Sequence, residues 1–152
     1  MKALIVGGGV AGPATAMALQ CVGIDAVLLE RRAACDATEG SYFTIAPNGL
    51  DALDLLGALD LAREVGFPTT TNAMYGATGR RLGEIGLGVP LADGTVALTA
   101  KRSLLAARLL DEAESRGVEV RRGAEAVAAA SQDGSATVTL ADGERLAADV
   151  VV

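Results

Sequence analysis

The chain has 152 residues, about one domain's worth, and at 51% hydrophobic and 21% charged it has the composition of a globular protein with a core. Its net charge of -6 argues against a nucleic-acid-binding surface, which needs Lys and Arg massed on one face; Lys2 and Lys101 are the only lysines and the arginines are scattered. The sequence has no histidine, and Cys21 and Cys35 form no CxxC pair, so histidine acid–base chemistry within the chain is excluded and no metal site is expected.

In chain order, "ALIV" (3–6) is a short apolar run of the kind expected for a parallel strand buried on both faces. Gly7, Gly8, Gly9, Val10, Ala11 and Gly12 follow at once and satisfy GxGxxG. "GPATAMALQCVG" then reads as a helix of small residues, with Pro13 in its first turn, Cys21 as a small buried residue and Gly23 as its stop. "DAVLLE" (25–30) is the second apolar strand and ends on Glu30, 18 residues past Gly12.

Each part has a chemical reason. Gly7 permits a tight turn out of the strand, Gly9 lets the backbone approach a pyrophosphate, and Gly12 lets the helix pack close to the sheet. The helix N-terminus around Val10 and Ala11 presents free N–H groups and a positive dipole end to an anion. Glu30 is placed to accept hydrogen bonds from ribose hydroxyls and would repel a 2′-phosphate, which disfavours NADP in this pocket. A GxGxxG alone is weak in a chain with 19 glycines; here it follows a strand, opens a helix and meets an acidic strand end, the context that marks a dinucleotide-binding βαβ unit.

A plain NAD-binding fold would continue with further βα units. Here the next parallel-strand candidate is "VEVRR" (118–122). The interval holds a helix over 48–56 with Asn48 as N-cap and Gly57 as stop, and a short helix over 58–65 ending at Gly66. Hairpin turn signals follow at Thr78-Gly79 and Asp93-Gly94. Ser103 is expected to cap an amphipathic helix to about Arg116, with Leu105, Leu109 and Ala113 on one stripe and Gly117 as terminator. After 122, the turns Asp133-Gly134 and Asp142-Gly143 predict a three-stranded antiparallel meander, and "ADVVV" begins another buried parallel strand. Tyr42 and Phe43 read as core or pocket wall, and Cys35 as a loop thiol.

Five segments, "GGGVAGPATA" (7–16), "LLERR" (28–32), "GSYFTIAPNGLDALDLLG" (40–57), "KRSLLAARLLDEA" (101–113) and "AADVVV" (147–152), resemble the FAD-dependent monooxygenases of the aromatic-hydroxylase type across essentially the whole chain. The resemblance implies an α/β fold: a Rossmann-like FAD-binding parallel sheet with an antiparallel β-meander insertion. It implies that the first strand–turn–helix holds the FAD pyrophosphate, that Glu30 binds the adenosine ribose, and that Arg102 contacts the cofactor near its diphosphate and ribityl region. Gly40 to Asn48 would run near the isoalloxazine, although many members carry a second glycine where this chain has Tyr42. Arg31 and Arg32 have two readings of at least equal standing, one over the adenine and one as a solvated pair. For Arg102 and Glu30 the other reading is an ordinary exposed charge.

The implied activity is oxygenation of a small organic substrate by O2 with NAD(P)H as reductant of FAD. Three other readings stay open: an FAD-binding reductase or oxidase, a non-catalytic flavin-binding fragment, and an NAD-dependent dehydrogenase domain. A halogenase-type reading would want a lysine between 60 and 100, where there is none. No nucleophile–base constellation is visible and no catalytic residue is assigned; the cofactor carries the chemistry. "AADVVV" stops inside an apolar strand, so residues 1–152 are expected to be the FAD-binding part of a longer protein, inactive alone, with a substrate domain following. No signal-like segment and no run near the roughly 18 apolar residues of a membrane span occurs, so a cytoplasmic location and no membrane partner are expected, with oligomeric state open.

Overall fold

The protein is described by a computed structural model that covers residues 1–34, 40–132 and 134–152. Cys35 and Asp133, and with Asp133 half of one expected turn, lie outside the described residues. The chain forms two compact units, 1–40 with 103–152, and 41–102.

The first unit is built on a parallel sheet. Strands β1 (Lys2–Val6), β2 (Asp25–Glu30), β8 (Glu119–Arg122) and β12 (Val150–Val151) lie in the order β12-β1-β2-β8, every pair parallel. Helix α1 (Ala11–Cys21) joins β1 to β2, and α4 (Arg102–Ser115) precedes β8. Strands β9 (Ala126–Gln132), β10 (Ser135–Leu140) and β11 (Arg145–Ala148) form the expected antiparallel meander, ordered β11-β10-β9.

Pleating divides the apolar strands between two layers. Leu4, Val27 and Leu29 cluster with Ala124, Val138 and Leu140, so the meander covers one sheet face. Ala3, Ile5, Ala26 and Leu28 are buried on alternate positions, and Ile5 packs beneath the start of α1. Leu105, Leu109 and Ala113 are fully buried, as the amphipathic stripe requires. The Gln20 side chain donates to the Arg116 carbonyl (3.3 Å) and ties α1 to the end of α4.

The second unit holds α2 (Pro47–Leu55), α3 (Leu59–Val65) and two antiparallel sheets. Strands β3 (Tyr42–Ile45), β7 (Leu98–Lys101) and β4 (Gly66–Pro68) are ordered β3-β7-β4, while β5 (Thr71–Tyr75) and β6 (Arg81–Gly86) form a hairpin. Ile45, Leu50, Leu53, Leu59, Ala62, Leu98 and Ala100 are among its buried apolar residues. Gly66 is where a strand passes close to a helix, since a Cβ there would lie 2.8 Å from the Ala62 carbonyl. The Arg63 guanidinium bonds Asp60 (3.1 Å), Asp93 (3.0 Å) and Thr95 (2.8 Å), pinning the 91–95 turn to α3.

Several expectations need correction. Helix α2 starts at Pro47 with Ala46 as N-cap and no side-chain cap, so Asn48 sits inside the first turn. The proline ring fixes a helical φ and lacks the N–H that would be orphaned there, which moves the N-cap two positions back, from Asn48 to Ala46. Helix α4 likewise begins at Arg102, leaving Ser103 within the helix and not before it. Cys21, the last residue of α1, is exposed and not buried. Tyr42 is 65% exposed, so of its two readings, core or pocket wall, the core one does not hold. Strand β12 is parallel to β1 as expected, but it is an edge strand and Val150 is 36% exposed. Asp93-Gly94 makes a tight turn, with Gly94 N–H donating to the Leu91 carbonyl (2.9 Å), and joins no pair of strands.

Candidate functional site

The glycine-rich loop leaves the end of β1 where the sheet order places it beside β2. The Gly7 N–H donates to the Leu29 carbonyl (2.8 Å), and Gly7 then takes φ +113°, a conformation that side chains resist, to turn the chain toward α1. A Cβ on Gly12 would sit 1.9 Å from the Gly7 carbonyl oxygen, so only glycine lets the first turn of α1 fold back over the loop. A Cβ on Gly9 would meet nothing within 4 Å, so the space beside it is open.

The start of α1 is electrically bare. Val10 occupies the N-cap position without a side-chain cap, and no acidic residue lies in the first turn. The leading amides, with the positive end of the helix dipole, therefore face an open site suited to an anion.

Glu30 closes the other side. Its Oε2 accepts the Gly8 N–H at 2.6 Å and its Oε1 accepts the Arg32 N–H at 2.8 Å. The side chain is half-buried, and an ionised carboxylate offers about four lone-pair sites, so two amide contacts leave capacity for ribose hydroxyls. Of the expected residues, Gly7, Gly9, Val10, Ala11, Gly12 and Glu30 thus come together at the C-terminal ends of the two inner strands, β1 and β2. Arg31 follows directly and is exposed.

Gly8 was not singled out by the motif, which leaves that position free. A Cβ there would lie 2.8 Å from Glu30 Oε2 and 3.1 Å from the Glu30 Cβ and Cγ. The signal was the unbroken Gly7-Gly8-Gly9 run: a glycine at a variable position, opposite an acidic strand end.

Arg102 is the first residue of α4 and belongs to the second unit; its side chain is exposed and its N–H donates to the Ser41 carbonyl (3.1 Å). In the same unit Tyr42 and Phe67 pack ring to ring at 6.4 Å. Thr99 Oγ1 links Thr44 Oγ1 (3.0 Å) and Thr69 Oγ1 (2.8 Å). Among the described residues there is no cluster of His, Cys, Asp and Glu able to hold a metal, and no helix long and apolar enough to cross a membrane.

The fit to a dinucleotide is good on these grounds alone: an uncapped helix start, an open approach at Gly9 and a carboxylate at the neighbouring strand end. The comparisons agree with it. The family model described as an FAD binding domain matches residues 1–152. The FAD-dependent monooxygenase verC1 of Penicillium polonicum is 34% identical over 157 residues, covering 99% of this chain and 19% of that protein. The 3-hydroxybenzoate 6-hydroxylase of Klebsiella oxytoca is 45% identical over 65 residues, 42% of this chain and 16% of its own length. Among solved structures, FqzB matches with a TM-score of 0.83 at 25% identity, over 99% of this chain and 35% of that one. The tetrameric form of 2-methyl-3-hydroxypyridine-5-carboxylic acid oxygenase matches with a TM-score of 0.78 at 29% identity, over 99% of this chain and 38% of that one. The chain therefore spans between about a fifth and two-fifths of the relatives above that match over nearly all of it. Loop, helix and acidic strand end, together with a match over every residue, show that the chain belongs to the FAD-binding domain family.

Proposed function

We propose that this domain serves a flavin-dependent monooxygenase that oxygenates a small organic substrate with O2, drawing its electrons from NAD(P)H. The observation that carries the reading is the bare N-terminus of α1 facing the open side of Gly9, with Glu30 fixed beside it. When bound, FAD supplies the redox chemistry, and the chain's own residues supply binding and orientation.

The leading amides of α1, at Val10, Ala11 and Gly12, hold the pyrophosphate, with Gly7 and Gly9 giving the backbone its turn and its approach. Glu30 accepts the adenosine ribose hydroxyls on its remaining lone pairs, and its charge rejects a 2′-phosphate. Arg31 stacks on the adenine side, and Arg102 binds toward the diphosphate and ribityl region. The substrate pocket belongs to a further domain, a reading supported by the small share of each relative that this chain spans. A cytoplasmic enzyme is the setting that fits NAD(P)H as reductant.

The test is a purified sample with a measured flavin-to-protein ratio after gel filtration, followed by NADH and NADPH oxidation with and without candidate phenolic substrates. Bound flavin and substrate-stimulated oxidation support the reading. Protein that carries no flavin and takes up none refutes it.

A further inference from the structure

We infer that Gly8 and Glu30 form a latch that holds the phosphate loop in its binding form before any cofactor arrives, which makes Gly8 a positioning residue of the site. The inference rests on the FAD-binding reading above and deepens it. The Gly8 N–H points at Glu30 Oε2 and not into the open side of the loop, at 2.6 Å, a short charge-assisted hydrogen bond. The Gly7 N–H is bound to the Leu29 carbonyl at 2.8 Å. Two successive loop amides are therefore committed to β2, and the amides left for an anion begin farther along, at the start of α1.

Steric fit says the same. Glu30 lies flat against Gly8, with its Cβ and Cγ each 3.1 Å from where a Gly8 Cβ would be. Any side chain at Gly8 must push the carboxylate away, so the loop geometry and the ribose-binding group are a single mechanical unit. Gly9 makes the contrast, because a Cβ there touches nothing in the protein. The Arg32 N–H on Oε1 at 2.8 Å fixes the carboxylate from behind, so that it faces Gly8 without needing a ligand to orient it. Loop residues already ordered in this way lose less freedom on binding.

The latch predicts coupling. Gly8→Ala and Glu30→Ala each break the same contact, and each should raise the Kd for FAD about tenfold or more, the size of a hydrogen bond to a charged group. The double variant should be little worse than Glu30→Ala alone, because once the carboxylate is gone Gly8→Ala has no contact left to break. In ligand-free protein the Gly8 amide should exchange with solvent about tenfold more slowly in the wild type than in Glu30→Ala, for the same reason. Glu30→Gln should lie between, since an amide can accept from one of the two N–H groups and not both.

The experiment is amide exchange by NMR on ligand-free wild type, Glu30→Gln and Glu30→Ala, paired with FAD titration of the wild type, both single variants and the double variant. Protection of Gly8 that disappears with the carboxylate, together with non-additive losses in affinity, is the expected result. Equal Gly8 exchange in wild type and Glu30→Ala overturns the latch, as do losses that multiply in the double variant. If the wild type binds no FAD, the functional reading fails while the exchange comparison still decides the latch. If Gly8→Ala does not fold, the two Glu30 variants decide it.

Discussion

Gly9 and Gly12 are three residues apart in one motif and fail differently when changed. Gly9 has open space around its Cα, so Gly9→Val should leave the fold and melting temperature intact while abolishing retention of FAD, since the branched side chain fills the approach path. Gel filtration followed by flavin absorbance checks this; a folded variant with the wild-type flavin ratio would mean the loop does not cradle the cofactor. Gly12→Ala places a methyl 1.9 Å from the Gly7 carbonyl and should destabilise the protein itself, by about 1–3 kcal/mol for forced overpacking. Arg102→Ala should weaken FAD by about 1.5–3 kcal/mol if its guanidinium binds the diphosphate side, and a titration within twofold of wild type would remove Arg102 from the site. At this scale, spacing alone made Gly7, Gly9, Gly12 and Glu30 legible. Gly8 was not, because its role depends on where a carboxylate 22 residues away comes to rest. The exposure of Cys21 was equally hidden, since a helix of small residues carries little sign of which face is buried.

Elements were easier to read than their ends. Strand β2 was anticipated residue for residue and the meander in its strand order, because glycine-marked turns and unbroken apolar runs are local signals. Both expected N-caps, Asn48 and Ser103, lie inside their helices, which start at Pro47 and Arg102, two residues earlier than a cap at those positions would allow. Packing within the elements gives firm numbers. Leu109 has no exposed surface, so Leu109→Ala should cost about 2–5 kcal/mol in urea unfolding; a loss below about 1 kcal/mol would mean α4 is not seated as described. The turn at 91–95 provides a pH dependence. Hydrogen bonds from the Thr95 amide and hydroxyl, reinforced by Arg63, hold the Asp93 carboxyl below the usual aspartate range. A carboxyl depressed in the folded state adds stability that is complete above its unfolded pKa of about 3.9 and is lost as pH falls through its lower folded value. Asp93→Asn should therefore lower the melting temperature near neutrality and converge on the wild type only as the pH falls through the lowered folded value; parallel curves would show the turn is not held by that charge. The group is exposed, so the effect is small.

Across the whole molecule, the parallel sheet and meander follow from patterning, while the three-stranded β3-β7-β4 sheet was not anticipated. Its strands are three or four residues long and pair across intervals that periodicity does not reach. Phe67, Met74, Tyr75, Leu82 and Ile85 remain exposed in the second unit, and a two-stranded hairpin has little stability of its own in water. The relatives above that match nearly all of this chain, and of which it spans 19% to 38%, contain much further chain. The central claim is more local than any of this: the loop at 7–12 and Glu30 bind FAD. Its most direct test is equilibrium titration of the purified protein with FAD, followed by quenching of flavin fluorescence. The account predicts saturation at one FAD per chain; fluorescence that rises linearly with added FAD at every protein concentration, as for free flavin, would contradict it.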